Sequence, residues 1–148
     1  MNQLVVNTLE QLMQFAIRKE IDLGMEKQQY IQFNAPEQTI QSILTNLIDN
    51  AIKYTPEKGV INVSVSEQGD FAVIVVEDSG PGIDPSQFNK IRKRFYRIYN
   101  HAEIGSGLGL SIVDKAIEHL HGALTFSKSE ELGGLRAEVK IPLHADKL

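Results

Sequence analysis

Asn46, Asn50 and Lys53 are spaced by four and three residues, which on a helix gathers them on one face. Asparagine is a mediocre helix former because its amide competes for backbone hydrogen bonds, so two of them stacked in a helix interior have a cost that wants a reason. A solvated face is the ordinary reason. The chemical one is that a neutral amide oxygen can occupy one site on a Mg²⁺ whose other ligands are water and phosphate oxygens, with Lys53 countering the phosphate charge.

Three further groups carry the same two readings. Asp78-Ser79-Gly80-Pro81-Gly82 is made of ordinary turn residues, yet a carboxylate there can accept a hydrogen bond from an exocyclic amine such as that of adenine. Gly80 and Gly82 would let the backbone approach a flat ring. Gly105-Ser106-Gly107-Leu108-Gly109 leads into a helix, where exposed backbone N–H groups and the helix dipole make a phosphate cradle. No Gly-Lys-Ser/Thr follows, so it is not a Walker loop, and its third glycine comes one position too early for a dinucleotide fingerprint. Lys90, Arg92, Lys93, Arg94 and Arg97 surround Phe95 and Tyr96 in a basic run, which is either a solvated helix or a surface for phosphates or an acidic partner.

The elements that must hold these residues are legible from periodicity. Leu4, Val5, Leu9, Leu12, Met13, Ala16 and Ile17 predict a first helix near residues 2 to 18, followed by a short strand at Glu20 to Leu23 and another at Tyr30 to Phe33. Asn34-Ala35-Pro36 opens a long helix with a regular apolar stripe of Ile40, Ile43, Leu44, Leu47, Ile48, Ala51 and Ile52, stopped by Tyr54-Thr55-Pro56 and Gly59. Ile61, Val63 and Val65 alternate with polar residues as a half-solvated strand, and Phe71 to Val76 is apolar on both faces as a central strand. Leu110 to Leu120 predicts another helix, with Leu110, Val113, Ile117 and Leu120 buried and Gly122 past its end. Strands at 123 to 128 and 135 to 141 complete one mixed sheet of about five strands with helices on one face, an α+β arrangement.

Whole-chain properties narrow the partners. A length of 148 residues predicts one domain, spanning residues 1 to 148. A formal charge of -4 lacks the broad basic field of a nucleic-acid binder. There is no cysteine, hence no disulfide or thiolate metal site. No apolar run approaches the roughly 18 residues of a membrane span, so no membrane contact is expected of this domain.

The order and spacing of the four groups match one family. The chain resembles the histidine-kinase branch of the ATPase superfamily that includes gyrase, Hsp90 and MutL. Asn46 to Tyr54 is similar to its N box, Asp78 to Gly82 to its G1 box, Arg94-Phe95-Tyr96-Arg97 to its F box, and Gly105 to Gly109 to its G2 box. The resemblance covers about residues 2 to 143. It implies a two-layer α/β sandwich of the Bergerat type, with ATP held between the long helix and a mobile lid near residues 84 to 104. By the same carry-over Asn50 is the Mg²⁺ ligand, Asn46, Lys53 and Tyr54 line the nucleotide, and Asp78, with Gly80, Gly82 and Ile83, reads adenine. Arg94 and Phe95 belong to the lid, and Gly105, Ser106, Gly107, Leu108 and Gly109 hold the phosphate side. The residue before Arg94 is often acidic in the family and is Lys93 here.

The ATPase relatives place a glutamate four residues before the Mg²⁺ asparagine, as a general base toward water. Here that position is Asn46, whose amide cannot take a proton, so the resemblance implies slow hydrolysis and a γ-phosphoryl group saved for a histidine. His101, His119, His121 and His144 do not sit in a His-acidic acceptor motif, and His119 and His121 read as helix C-terminal cations. The implied partners are the parent's own dimerisation and histidine phosphotransfer domain and, through it, a cognate response regulator. The parent is expected to be a homodimeric inner-membrane sensor with this domain in the cytoplasm. A hydrolytic ATPase clamp, an inactive nucleotide-binding scaffold and a serine-phosphorylating anti-sigma kinase remain as alternatives.

Overall fold

The computed structural model describes residues 2–28, 36–81 and 115–143. In chain order these form α1 (Asn2–Arg18), β1 (Asp22–Gln28), α2 (Glu37–Tyr54), β2 (Val60–Gln68), β3 (Phe71–Asp78), β4 (Ala123–Lys128) and β5 (Leu135–Pro142). The strands make one mixed sheet in the order β1-β2-β3-β5-β4. β1 runs parallel to β2, with α2 as the crossover between them, and every other pairing is antiparallel.

One face of that sheet is the core. The α1 residues Val5, Leu9, Leu12 and Ala16 meet the whole predicted stripe of α2, and both pack on Ile61, Val63, Val65, Ala72, Ile74, Val76, Ala137, Val139 and Ile141. Full burial of a leucine or isoleucine contributes about 1.5–3 kcal/mol, so residues such as Ile43, Leu44 and Ile48 seat α2 firmly on the sheet. The opposite face of α2 is thereby a fixed platform. This is the two-layer architecture expected.

β3 lies at the centre, as its two-sided apolar run requires. Val73 and Val75 lie outside the helix-side core cluster and are still buried, with Ser66 and Lys140, and Ser64 and Glu138, as their register partners on β2 and β5. Three details differ from the sequence expectation. The strand placed at Glu20 to Leu23 begins instead at Asp22 and runs to Gln28, because Glu20 takes a left-handed φ of 55° in the turn after α1. β3 continues through Glu77 and Asp78, which pair with Asn62 and Ile61, rather than ending before them. Residues 115–119 are helical, and it is His121, with φ 60°, that takes the left-handed cap position assigned to glycine. Gly122 has another reason to be glycine, since a Cβ there would press on the Lys140 carbonyl. The strand expected at Tyr30 to Phe33, the helix opening at Asn34-Ala35, and Leu110 and Val113 lie outside the described residues.

Candidate functional site

The outer face of α2 carries the predicted asparagines, and their surroundings differ. Asn46 Nδ2 donates to the Ser42 carbonyl at 2.7 Å and approaches Ser42 Oγ at 3.5 Å, so its nitrogen is committed to its own helix and its oxygen is what remains for a ligand. One turn on, Asn50 Nδ2 is buried with no hydrogen-bond partner among the described residues. An orphaned buried donor costs about 1–3 kcal/mol, and natural structures rarely keep one without a use. Lys53, expected to counter phosphate, is paired here with Asp49 Oδ2 at 3.0 Å. Both side chains are more than a third exposed, and such an i,i+4 pair contributes only about 0.3–0.5 kcal/mol, so exchange of Asp49 for a phosphate is inexpensive.

Donors are seen for the Ala51, Ile52 and Lys53 carbonyls at the C-terminus of α2. The last carbonyls of a helix lack partners within it. The Ala51 carbonyl accepts from Thr55 N at 3.0 Å. Those of Ile52 and Lys53 accept from Lys19 Nζ at 2.9 and 3.0 Å. The Tyr54 carbonyl lies against Gly80, where an added Cβ would come within 3.0 Å of it. Thr55 follows with its hydroxyl buried and without a partner among the described residues. The turn after it is tied down by Ser79, whose Oγ accepts from Val60 N at 2.8 Å and whose N donates to the Val60 carbonyl at 3.0 Å. The two motifs recognised separately in the sequence are thus one seam, with α2 ending on the backbone that follows Asp78.

Asp78 closes β3 and is 9% exposed. Burial pushes its carboxyl above the usual carboxylate range, partly offset by backbone N–H bonds from Leu135 at 3.2 Å and Gly80 at 2.9 Å, both to Oδ1. With Oδ1 spent on two donors, Oδ2 is the atom left to accept from a ligand amine. The β4–β5 turn holds this arrangement. Gly134 N donates to the Asp78 carbonyl at 3.1 Å, and a Cβ on Gly134 would collide with Asp78 Oδ1 and with the Asp78 carbonyl. That turn is latched in its own right, since Ser129 Oγ donates to Glu77 Oε2 at 2.7 Å and Arg136 Nε pairs with Glu77 Oε1 at 3.3 Å.

Of the predicted site residues, the structure describes Asn46, Asn50, Lys53, Tyr54, Asp78 and Gly80. Gly82, Ile83, Arg94, Phe95, Gly105, Ser106, Gly107, Leu108 and Gly109 lie outside the described residues. Sequence reasoning missed Lys19, Asp49, Ser129, Gly134 and Leu135. Asp49 had a signal, its i,i+4 spacing to Lys53; Gly133-Gly134 signalled a turn but not its contact with Asp78. Among the described residues no group of three or more His, Cys, Asp or Glu could hold a metal ion. A divalent cation here would rely on an amide oxygen and on ligand oxygens, for which Asn50 Oδ1 is the candidate.

Residues 35–145 match the family model described as histidine kinase-, DNA gyrase B-, and HSP90-like ATPase. The chain is 37% identical over 134 residues to the sensor histidine kinase TmoS of Ectopseudomonas mendocina, covering 88% of this chain and 14% of TmoS. It is 33% identical over 140 residues to the sensor protein kinase PmrB of Pseudomonas aeruginosa, covering 94% of this chain and 29% of PmrB. It therefore spans less than a third of either relative. Among solved structures, the nucleotide-free catalytic domain of the histidine kinase ThkA superposes with a TM-score of 0.88 at 26% identity, covering 100% of this chain and 95% of that one.

Proposed function

Because the chain belongs to the family of histidine kinase-, DNA gyrase B- and HSP90-like ATPases, we propose that it binds Mg·ATP on the α2 platform and donates the γ-phosphoryl group to a histidine on a separate dimerisation domain. The observation that carries this reading is Asn50, a half-buried residue whose amide nitrogen is itself buried with no hydrogen-bond partner among the described residues, one helical turn from Asn46. Asn50 Oδ1 would hold the Mg²⁺ and its nitrogen would find an acceptor among the phosphate oxygens. Bound there, Mg²⁺ supplies neutralisation of the charge on the transferred phosphoryl group.

The chain's own residues do the rest. Asp78 Oδ2 accepts from the adenine amine, and Gly80 keeps the floor of that subsite flat. Lys53 leaves Asp49 for the phosphates. Asn46 stands where a hydrolytic relative needs a base, and an amide cannot accept water's proton, so the bound γ-phosphate persists until an imidazole arrives. Transfer is then a matter of holding the two reactants in line. In two-component signalling the phosphoryl group would pass on to a response regulator. The parent would be a homodimeric inner-membrane sensor with residues 1–148 as its single catalytic domain, on the cytoplasmic side. No helix among the described residues is long and apolar enough to cross a membrane.

Isothermal calorimetry with ATP in the presence and absence of Mg²⁺ tests the platform. Asn50→Asp adds a charge to the metal's surroundings and removes the amide donor, and it is expected to impair Mg·ATP binding and transfer. Unchanged Mg·ATP affinity and unchanged transfer in that variant would remove Asn50 from the metal site.

A further inference from the structure

α2 presents a problem at its C-terminus that its own sequence does not solve. Cations are favoured at helix C-termini, where the macrodipole leaves a partial negative charge on unpaired carbonyls. The basic residue in the last turn of α2 is Lys53, but its ammonium is turned back one turn to Asp49. The carbonyls of Ile52 and Lys53 are instead met by one ammonium from a distant part of the chain, Lys19 Nζ, at 2.9 and 3.0 Å.

Lys19 is well placed for this. It directly follows α1, whose Ala16 is fully buried, and the chain turns there through Glu20 at φ 55°. The Lys19 carbonyl accepts from Lys58 N at 2.9 Å, and Asp22 N donates to the Gly59 carbonyl at 2.9 Å. Lys19 therefore holds the end of α2 with its side chain and the following turn with its backbone.

We infer that Lys19 is a positioning residue of the nucleotide site. The turn it closes contains Asn50, Lys53 and Tyr54, and the next carbonyl along, that of Tyr54, lies against Gly80 beside Asp78. Without the ammonium, the Ile52 and Lys53 carbonyls lose their donor and the last turn of α2 frays. Asn50 then moves relative to Asp78, and the phosphate and adenine ends of the site lose their register. Lys19 acts through the backbone carbonyls of Ile52 and Lys53. The inference rests on α2 being the nucleotide platform, and it adds α1, which carries no recognised motif, to the machinery of that platform.

The test uses the whole chain and compares Lys19→Met, which keeps the apolar stem and removes the donor, with Lys19→Arg, which keeps charge and donors. Mg·ATP affinity is measured by calorimetry at a temperature where circular dichroism reports each variant fully folded. Expected is a loss of roughly fivefold or more for Lys19→Met and recovery to near wild type for Lys19→Arg, because small displacements of positioning groups have large effects on bound ligands. A role confined to stability predicts a lower Tm with unchanged affinity in the folded variant, and that result would overturn the inference. Should Lys19→Met not fold, Lys19→Gln, which removes the cation and shortens the reach to the two carbonyls, is expected to lose affinity in the same direction, and wild-type affinity in the folded Lys19→Gln would overturn the inference. Wild-type chain that binds no Mg·ATP at all overturns the platform reading, and the inference with it. Wild-type binding with an indifferent Lys19→Met overturns the inference alone.

Discussion

Asp78 organises the backbone at the end of β3, and on the proposed reading the same carboxylate reads the ligand. Oδ1 is saturated by the N–H groups of Gly80 and Leu135, so Asp78→Asn can keep both bonds through its own oxygen while presenting an NH₂ where Oδ2 was. A donor would then face the adenine amine. Leaving such a pair unmatched costs about 1–3 kcal/mol, so ATP affinity is expected to fall at least several-fold while thermal stability holds, and equal binding of ATP and GTP by wild type would contradict the assignment. The direction of the Asp78 shift adds a second readout. Burial raises its folded pKa, so its contribution to stability is fully present below the ordinary carboxylate value and is lost as pH rises through the raised one. Nucleotide reading needs the ionised form, so ATP affinity should fall as pH drops through that same raised value, and this dependence should vanish in Asp78→Asn. Asn46, Asn50 and Asp78 were legible as candidates because helix spacing and turn composition are local. Leu135, whose N–H reaches Asp78 across 57 residues of sequence, was not, because nothing near it in the chain marks the contact.

Among elements, α2 was the most legible, since its stripe of seven apolar residues at helical spacing is entirely buried. Its end was legible only as a stop signal. Tyr54-Thr55-Pro56 announces where the helix ceases, but not that its carbonyls are met by Lys19 or that Thr55 keeps a buried hydroxyl without a partner among the described residues. A lysine just past a helix carries no local signature of which other helix it will cap. The Thr55 hydroxyl gives a stability prediction at this scale. Thr55→Val preserves the β-branched shape suited to the extended cap conformation, φ −86° and ψ 130°, and removes the unpaired hydroxyl. A gain of about 1 kcal/mol is expected, which for a domain of this size raises Tm by roughly 3 °C. A lowered Tm on differential scanning calorimetry would mean that the hydroxyl has a partner that matters.

For the molecule as a whole, alternating and two-sided apolar strands foretold a mixed sheet with helices on one face, and the central place of β3 followed from its composition. The order β1-β2-β3-β5-β4 did not follow, because strand neighbours are chosen by packing rather than by any strand's own pattern. That order sets Asp78 at the end of the central strand, directly beside the end of α2. The central claim is that this seam makes a phosphoryl donor whose acceptor lies on another domain. On that reading Asn46 stands in place of the base that would activate water, and His101, His119, His121 and His144 occupy no acceptor motif. The direct measurement incubates the chain with γ-labelled ATP and Mg²⁺, with and without a separately produced histidine-containing dimerisation domain, and follows acid-labile, base-stable phosphate over time. The account predicts label accumulating on the added domain, none on this chain, and little phosphate release without the acceptor. Label on this chain's own histidines, or rapid ATP turnover with no acceptor present, would contradict it.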